Sequence, residues 1–205
     1  MAQRTSGVFR ILSASWAYRL FQSLVGADRA RTIFVREHLK PVAGSRILDI
    51  GCGTGEILDY LPAVDYVGID LSSAYIQSAK ARYGDRGEFR ACSAEQLENE
   101  HAGKFDLVMA IGVLHHLDDR VVEQLFKTVY SLLNVGGRLV TLDPVFDDRQ
   151  SAIARYIIRS DRGQNVRTES ALHQLAETRF SQVKSQVRSD MVRIPYTHVI
   201  LECVR

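Results

Sequence analysis

The chain has 205 residues, of which 46% are hydrophobic and 24% are charged, a balance typical of a globular protein with a substantial core. Its apolar runs are shorter than the roughly 18–20 residues that cross a bilayer, and residues 1–40 lack the compact apolar block of a secretory signal. The three cysteines, Cys52, Cys92 and Cys203, are widely spaced and fit neither a disulfide framework nor a zinc site. We therefore expect a reduced, cytoplasmic setting.

Charge is distributed unevenly along the chain. Residues 1–40 and residues 149–205 each carry a net charge of +5, whereas residues 41–148 carry −8. An acidic unit with basic flanks is compatible with an anionic partner such as nucleic acid. Charged side chains at this density are more often ordinary solvated surface, and that is our expectation here.

Two helices are predicted at the start of the chain. Gly26 ends the first, Asp28 can cap the second, and the second must end near Lys40 because Pro41 disfavours helical geometry in the residue before it. The first helix has an apolar stripe with a four-residue repeat, formed by Val8, Leu12, Trp16, Leu20 and Leu24.

Strand and helix signals then alternate. Helices capped by Ser72 or Ser73 and by Asp118 or Asp119 separate short apolar segments. Such β-α-β alternation with short connections predicts a parallel sheet covered by helices on both faces. The predicted strands are residues 46–50 (RILDI), 66–70 (YVGID), 88–92 (EFRAC), 105–113 (FDLVMAIGV) and 138–142 (RLVTL).

The C-terminal part has a different pattern. Val183, Ser185 and Val187 alternate with polar residues, and a turn at residues 189–190 precedes a further strand at residues 197–204. Two strands this close must pair antiparallel, because no crossover helix fits between them. The sequence therefore predicts one α/β domain, residues 1–205, with a seven-stranded, mostly parallel sheet and an antiparallel terminal strand.

The stretch LDIGCGTG, residues 48–55, carries the strongest functional signal. A predicted strand delivers Asp49, and glycines follow at positions 51, 53 and 55 before a predicted helix. Glycine is needed where the backbone turns sharply or touches a ligand directly. Dinucleotide dehydrogenases have the related spacing G-x-G-x-x-G, but here the third glycine comes one residue earlier. Asp70 follows Asp49 by 21 residues, and its carboxylate can accept both ribose hydroxyls of any adenosine cofactor.

Five motifs together resemble those of class I S-adenosylmethionine-dependent methyltransferases, over residues 42–204. The likeness is greatest to bacterial small-molecule enzymes such as those of quinone biosynthesis. It implies a Rossmann-like three-layer sandwich, S-adenosylmethionine as cofactor, and a helical lid at residues 1–40. The motifs are LDIGCGTG (48–55), YVGIDLS (66–72), SAEQL (93–97), FDLVMAIGVLHHL (105–117) and LNVGGRLVTLDP (133–144).

The resemblance also implies a cofactor site. The glycine loop would pass the methionine and ribose parts, Asp70 would accept the ribose hydroxyls, and SAEQL would hold the adenine. Ser93 stands where the family usually has Asp, so the adenine contact can depend more on Glu95. The implied cofactor-binding residues are Asp49, Gly51, Cys52, Gly53, Gly55, Asp70, Leu71, Ser93, Ala94, Glu95, Ala110 and Ile111.

His115 and His116 follow the fourth predicted strand, near the methyl-donor end of the crevice. Methyl transfer depends mostly on positioning, and a general base is needed only when the acceptor holds its proton. A histidine suits that task, but either residue can instead fix the loop by a hydrogen bond. His116 is the candidate catalytic residue, because related families place a histidine at this motif position, and His115 is a candidate substrate contact.

Arginines mark a candidate acceptor region. Arg155, Arg159 and Arg162 fall on one helical face and Arg167 follows, so they can receive phosphate or carboxylate or form a solvated stripe. Tyr196 and His198 are further pocket candidates. The expected acceptor is a small molecule with an oxygen, nitrogen or carbon nucleophile, anionic acceptors included. No metal is expected, because the acidic residues at positions 143, 147 and 148 lack a ligand pattern.

Two alternative functions come from other classes of protein. A nucleic-acid methyltransferase is not expected, because the fourth strand ends in LHHL and no basic, aromatic-rich stretch is present. A cofactor-binding protein without turnover, acting as a partner or regulatory subunit, is the second alternative, because methyl transfer requires few catalytic side chains.

Overall fold

The computed structural model of the protein describes residues 26–160 and 163–205. The predicted helix with the stripe from Val8 to Leu24 lies outside the described residues, as does Arg162. Within the described ranges, no helix combines the length and apolar character needed to cross a bilayer.

The second predicted helix is present as α1 (Ala27–Phe34), which continues into a short π-helix (Val35–Leu39). It ends where predicted, with Lys40 in the left-handed region at φ 42°. The expected cap is wrong: Gly26 precedes the helix, so Asp28 lies in the first turn. A carboxylate in the first turn is still favourable, because it faces the positive end of the helix dipole.

Within residues 26–160 and 163–205, the sheet has eight strands. Seven of them lie in the order β3-β2-β1-β4-β5-β8-β7, and the two-residue β6, which was not predicted, pairs with β5. β8 is antiparallel to both of its neighbours, so the predicted antiparallel terminal pair is confirmed. The strands are β1 (Arg46–Ile50), β2 (Asp65–Ile69), β3 (Glu88–Arg90), β4 (Phe105–Ile111), β5 (Leu133–Phe146), β6 (Arg167–Thr168), β7 (Gln182–Arg188) and β8 (His198–Val204).

Two of the helices, α2 and α4, begin at predicted caps. The Ser72 hydroxyl accepts the Tyr75 amide, and the Asp118 carboxylate accepts the Val121 amide. After the glycine loop the chain forms only a 3-10 helix (Glu56–Tyr60), and a second one (Leu114–His116) follows β4. The remaining helices are α2 (Ser73–Tyr83), α3 (Ala94–His101), α4 (Asp119–Leu132), α5 (Ala152–Arg159) and α6 (Glu169–Glu177).

β5 is longer than the predicted residues 138–142. Its first part passes close to β4, and a Cβ at Gly137 would lie 2.9 Å from the Phe105 carbonyl oxygen. The register between the two strands shifts between Phe105 and Leu107. Glycine at this position therefore allows the strand to begin before the residues that apolar patterning identifies.

Two buried clusters lie on opposite faces of the sheet. One joins Leu48, Val67 and Val108 to residues of α3, α4 and α6. The other joins Ile47, Met109 and residues of α1, the π-helix and α2. Alternate residues of the same strands thus face different helical layers. This confirms the Rossmann-like three-layer sandwich predicted from the sequence.

The described part of the proposed lid belongs to one of these layers. Phe34 and Leu39 are fully buried in the second cluster. Arg188 of β7 donates to the Glu37 carboxylate at 3.0 Å, and His38 Nδ1 lies 3.0 Å from Glu202 of β8. These contacts fix Ala27–Leu39 to the sheet, and the lid role of residues 1–40 stays a prediction.

Candidate cofactor and acceptor site

The carboxyl ends of four parallel strands meet at one edge of the sheet. Ile50 at the end of β1 pairs with Ile69 of β2 and Ala110 of β4, and Ile111 pairs with Leu142 of β5. The segments that follow these strands therefore converge. Ligands of open α/β sheets bind at this edge.

The three glycines of the first loop have left-handed backbone, with φ of +72° at Gly51, +56° at Gly53 and +80° at Gly55. A Cβ at Gly51 would lie 2.6 Å from Val113 Cγ2, so this glycine permits close packing between the loops after β1 and β4. A Cβ at Gly53 would meet nothing within 4 Å. The loop thus exposes backbone at Gly53 to open space.

The Asp70 carboxylate lies directly against this loop. Its Oδ2 accepts the Gly53 amide at 3.0 Å, and its Oδ1 accepts the Ser72 amide at 2.8 Å. Two backbone donors fix the orientation of a half-buried carboxylate. The arrangement holds a negative charge beside the open space at Gly53.

Asp49 and Cys52 lie deeper. Asp49 is 3% exposed and accepts the Tyr66 hydroxyl at 2.7 Å. Burial raises the pKa of Asp49 to about 7, against the opposing effect of that hydrogen bond. Burial also raises the pKa of the Cys52 thiol, and the carboxylates of Asp49 and Asp70 add to the shift. The thiol is therefore not a nucleophile at neutral pH.

The predicted adenine motif forms the start of α3. Ser93 is the N-cap, and its amide donates to Gln96 Oε1 at 2.8 Å in a capping box. The S-x-x-Q spacing indicates this cap directly, a signal that the sequence analysis did not use. Ala94 is buried and Glu95 is exposed. Leu71, at the end of β2, exposes 58% of its surface although it is apolar.

The two histidines after β4 have different surroundings. His115 is buried: its Nδ1 lies 2.8 Å from Asp143 Oδ1, and its amide donates to the same oxygen at 3.2 Å. His116 is half-buried, and its ring centroid lies 4.0 Å from that of His115. Asp143 was considered from the sequence only as a metal ligand, yet the structure makes it the partner of a candidate site histidine.

Arg167 binds the turn that carries His115 and His116. Its guanidinium donates to the carbonyl oxygens of Leu114 at 2.9 Å and Leu117 at 2.6 Å. It also donates to the Asn165 carbonyl at 3.1 Å and to the Asp119 carboxylate at 2.8 Å. With these acceptors in place, Arg167 stabilises the turn that carries both histidines.

Two of the three arginines of the predicted helical face, Arg155 and Arg159, lie on α5, and the third, Arg162, lies outside the described residues. α5 ends at Arg159, because the Ser160 amide bonds to Tyr156 and Ile157 in a tightened last turn. Arg155 Nη2 donates to the Asp147 carbonyl at 3.0 Å and lies 3.8 Å from Asp148 Oδ1, whereas Arg159 is exposed.

Tyr196 and His198 lie next to each other where β8 begins. Their ring centroids are 4.8 Å apart, and both side chains are half-buried. His198 pairs in register with Pro144, the residue after Asp143. This pair therefore lies close to the end of β5.

Strand order, antiparallel β8, the glycine loop and the carboxylate after β2 together make a Rossmann-like fold of the kind found in solved methyltransferases. Residues 48–139 match a family model described as "Methyltransferase domain". The matched range includes four of the five motifs and the start of the fifth, so the resemblance stated from the motifs is confirmed over this part of the chain.

Several relatives have methyltransferase names. A ubiquinone biosynthesis O-methyltransferase of Acinetobacter baylyi is 27% identical over 139 residues, covering 64% of this chain and 58% of that protein. A malonyl-[acyl-carrier protein] O-methyltransferase of Legionella pneumophila is 34% identical over 128 residues, covering 58% and 44%. The chain spans about half the length of these curated relatives.

Solved structures share the fold. A phosphoethanolamine N-methyltransferase of Haemonchus contortus, in complex with phosphomonomethylethanolamine and S-adenosylhomocysteine, superposes with a TM-score of 0.73. The two sequences are 15% identical, and the match covers 96% of this chain and 58% of that one. A methyltransferase from Archaeoglobus fulgidus has a TM-score of 0.71 at 17% identity, covering 91% and 99%.

Proposed function

We propose that this protein transfers a methyl group from S-adenosylmethionine to a small-molecule acceptor. The observation that carries the proposal is the Asp70 carboxylate, fixed against the Gly53 amide beside open space. A ribose with two free hydroxyls needs an acceptor of this kind at the end of β2. The backbone at Gly53 leaves room for a ligand to approach.

The residues at this edge fit the cofactor. Asp70 would accept the ribose hydroxyls, and exposed Leu71 would lie against the adenine. Ala94 and Glu95 would line the adenine end together with Ser93, whose capping role is compatible with a second hydrogen bond. The backbone at Ala110 and Ile111 would receive the methionine part. Asp49, Gly51, Cys52 and Gly55 would shape the loop rather than contact the ligand through side chains.

We propose that the acceptor is a small molecule, and we expect no nucleic-acid substrate. The relatives named above include O-methyltransferases, and the solved neighbour holds a small phosphorylated amine. When bound, S-adenosylmethionine supplies an electrophilic methyl group on a sulfonium. The protein must then orient the acceptor in line with it and exclude water. Arg159, exposed at the end of α5, would be available to receive an anionic group.

Calorimetric titration with S-adenosylmethionine tests the cofactor site. Gly53→Val should weaken binding more than tenfold, because its side chain would occupy the open space. Gly103→Val is the matched control: Gly103 has φ +65°, a Cβ there also meets nothing within 4 Å, and it lies in the turn before β4, at the other edge of the sheet. Equal affinity in both variants would contradict the proposal.

Release of S-adenosylhomocysteine from a panel of phenols, quinone precursors and nucleotide-linked sugars tests turnover. Tight cofactor binding with no release from any acceptor would favour the cofactor-binding protein without turnover. Removal of residues 1–25 tests the proposed lid, since it leaves the packed Ala27–Leu39 in place. A lid predicts a much larger loss of activity than of melting temperature.

A further inference from the structure

The contact between His115 and Asp143 shows which ring nitrogen of the imidazole carries a proton. Asp143 Oδ1 faces two nitrogens, the backbone amide of His115 at 3.2 Å and its Nδ1 at 2.8 Å. The amide can only donate, and a carboxylate oxygen accepts, so Nδ1 carries a proton. In neutral His115 the lone pair is then on Nε2. A carboxylate that accepts the Nδ1 proton of a histidine in this way orients the ring and leaves Nε2 able to accept a proton as a base.

Two glycines lie beside the His115 ring. A Cβ at Gly112 would lie 3.7 Å from His115 Cε1, and a Cβ at Gly163 would lie 1.8 Å from Cδ2. Both glycines therefore leave room for ring carbons that are bonded to Nε2. Val113, next to Gly112, packs on Gly51 of the cofactor loop. The turn that carries His115 therefore adjoins the loop proposed to hold the cofactor.

The surrounding residues hold this ring in place. The Asn165 amide donates to the His115 carbonyl at 3.0 Å, and Arg167 of β6 binds the carbonyls of the same turn. The charged and titratable groups around the ring are Asp143 on β5, His116 on the same turn, and Arg167 with its partner Asp119 on α4. Asp143 thus holds the ring itself, and Asn165 and Arg167 hold the backbone of the turn that carries it.

One oxygen of the buried Asp143 carboxylate has no hydrogen-bond partner among the described residues. Asp143 is 2% exposed, and this oxygen is its Oδ2. A small cavity lined by Asn165, Thr168 and Leu172 lies beside it. A buried, unsatisfied carboxylate oxygen lowers stability, so its presence calls for a function. Negative charge next to the ring would stabilise an imidazolium.

We propose that His115 is the general base of the reaction and that Asp143 and Arg167 are positioning residues for it. The inference rests on the proposed function and narrows its acceptor to a hydroxyl compound, such as a phenol, that must lose a proton. His115 Nε2 accepts the proton of the acceptor hydroxyl. The oxygen then bonds to the methyl carbon as the carbon–sulfur bond breaks, and the electron pair of the broken bond remains on sulfur. The imidazolium afterwards releases the proton to water.

4-Nitrocatechol is a suitable probe, because its phenolate absorbs visible light and proton transfer can be followed without turnover. Below the pH at which the free probe ionises, the parent protein with S-adenosylhomocysteine should bind it as the phenolate. His115→Asn should abolish this ionisation. Asp143→Asn keeps an oxygen acceptor but removes the negative charge beside the ring, and it should reduce the ionised fraction several-fold. His173→Asn, at a half-buried histidine on α6, is the control.

Two outcomes would overturn the assignment of His115: an un-ionised probe on the parent protein, or loss of ionisation with His116→Asn in place of His115→Asn. A third measurement needs no variant. With nitrogen-15-labelled histidine, probe binding should convert His115 Nε2 from an unprotonated to a protonated nitrogen, and an unchanged resonance overturns the inference. S-adenosylmethionine affinity, measured in parallel, should be the same in every variant. Failure of the parent to bind the cofactor would instead contradict the proposed function.

Discussion

Replacing Asp70 is the most direct perturbation of the proposed cofactor site. Its carboxylate accepts two amides, at 3.0 and 2.8 Å, and each of its oxygens still has lone pairs for a ribose hydroxyl. Asp70→Ala removes the anchor of the glycine loop together with the ribose acceptor. A hydrogen bond to a charged group contributes about 1.5–3 kcal/mol. The dissociation constant should therefore rise by about 10- to 150-fold.

Asp70→Asn separates the two roles of the carboxylate. The amide has one acceptor oxygen, so it can keep the bond from Gly53 or the bond from Ser72 but not both. Its affinity should fall between that of the parent and that of Asp70→Ala. Asp65→Ala is the matched control, because Asp65 begins the same strand at the opposite edge and its exposed carboxylate pairs with Arg46 at 3.2 Å. An exposed pair of this kind contributes only about 0–1 kcal/mol.

Calorimetry with S-adenosylmethionine and S-adenosylhomocysteine measures all three variants, and circular dichroism checks that each is folded. An Asp70→Ala protein that binds either ligand within twofold of the parent would refute the role given to this carboxylate. A similar loss in Asp65→Ala would show that the effect is not local to the site.

Three further predictions concern stability and the acceptor. Burial raises the pKa of Asp49 to about 7, so the folded protein retains a proton that the unfolded chain loses. The stability that this proton provides disappears as pH rises from about 4 to about 7. In urea unfolding, Asp49→Asn should lack this dependence of stability on pH, which amounts to up to about 4 kcal/mol. Burial lowers the pKa of His101, so the free energy of unfolding should fall as pH drops below about 6.5. His101→Gln should reduce this loss of stability at low pH, and unfolding curves that are the same as those of the parent would contradict the prediction. Arg155→Gln should leave the Michaelis constant of an anionic acceptor nearly unchanged, because Arg155 is paired with Asp147 and Asp148, whereas Arg159→Gln should raise it several-fold.

Much of the fold could be predicted because its signals are local. The caps at Ser72 and Asp118 and the stop at Lys40 depend on neighbouring residues alone. Positive φ at Gly51, Gly53 and Gly55 is likewise a demand of the local backbone. The start of β5 was missed because glycines there contribute no apolar pattern, although the strand pairs through its backbone.

The candidate site was predictable only in part. Asp70 and the glycine loop were found because a strand, a turn and a spacing identify them. The role of Asp143 as the partner of His115 could not be predicted, because the two residues are 28 positions apart in sequence. The sequence indicates only that Arg167 is a candidate for an anion site or for a solvated stripe, because the carbonyl oxygen of Leu114 that it binds is 53 positions away.

The sequence by itself determined the order of strands and helices, the sheet edge at which a ligand can bind, and the residues that shape the glycine loop. These depend on hydrophobic periodicity and on backbone conformations that glycine alone adopts readily. Only the tertiary structure decided that His115 meets the Asp143 carboxylate and that Arg155 and Arg167 are already paired. Both outcomes depend on side chains that meet across β4, β5 and β6, and hydrogen bonds between distant segments leave no periodic trace in the sequence.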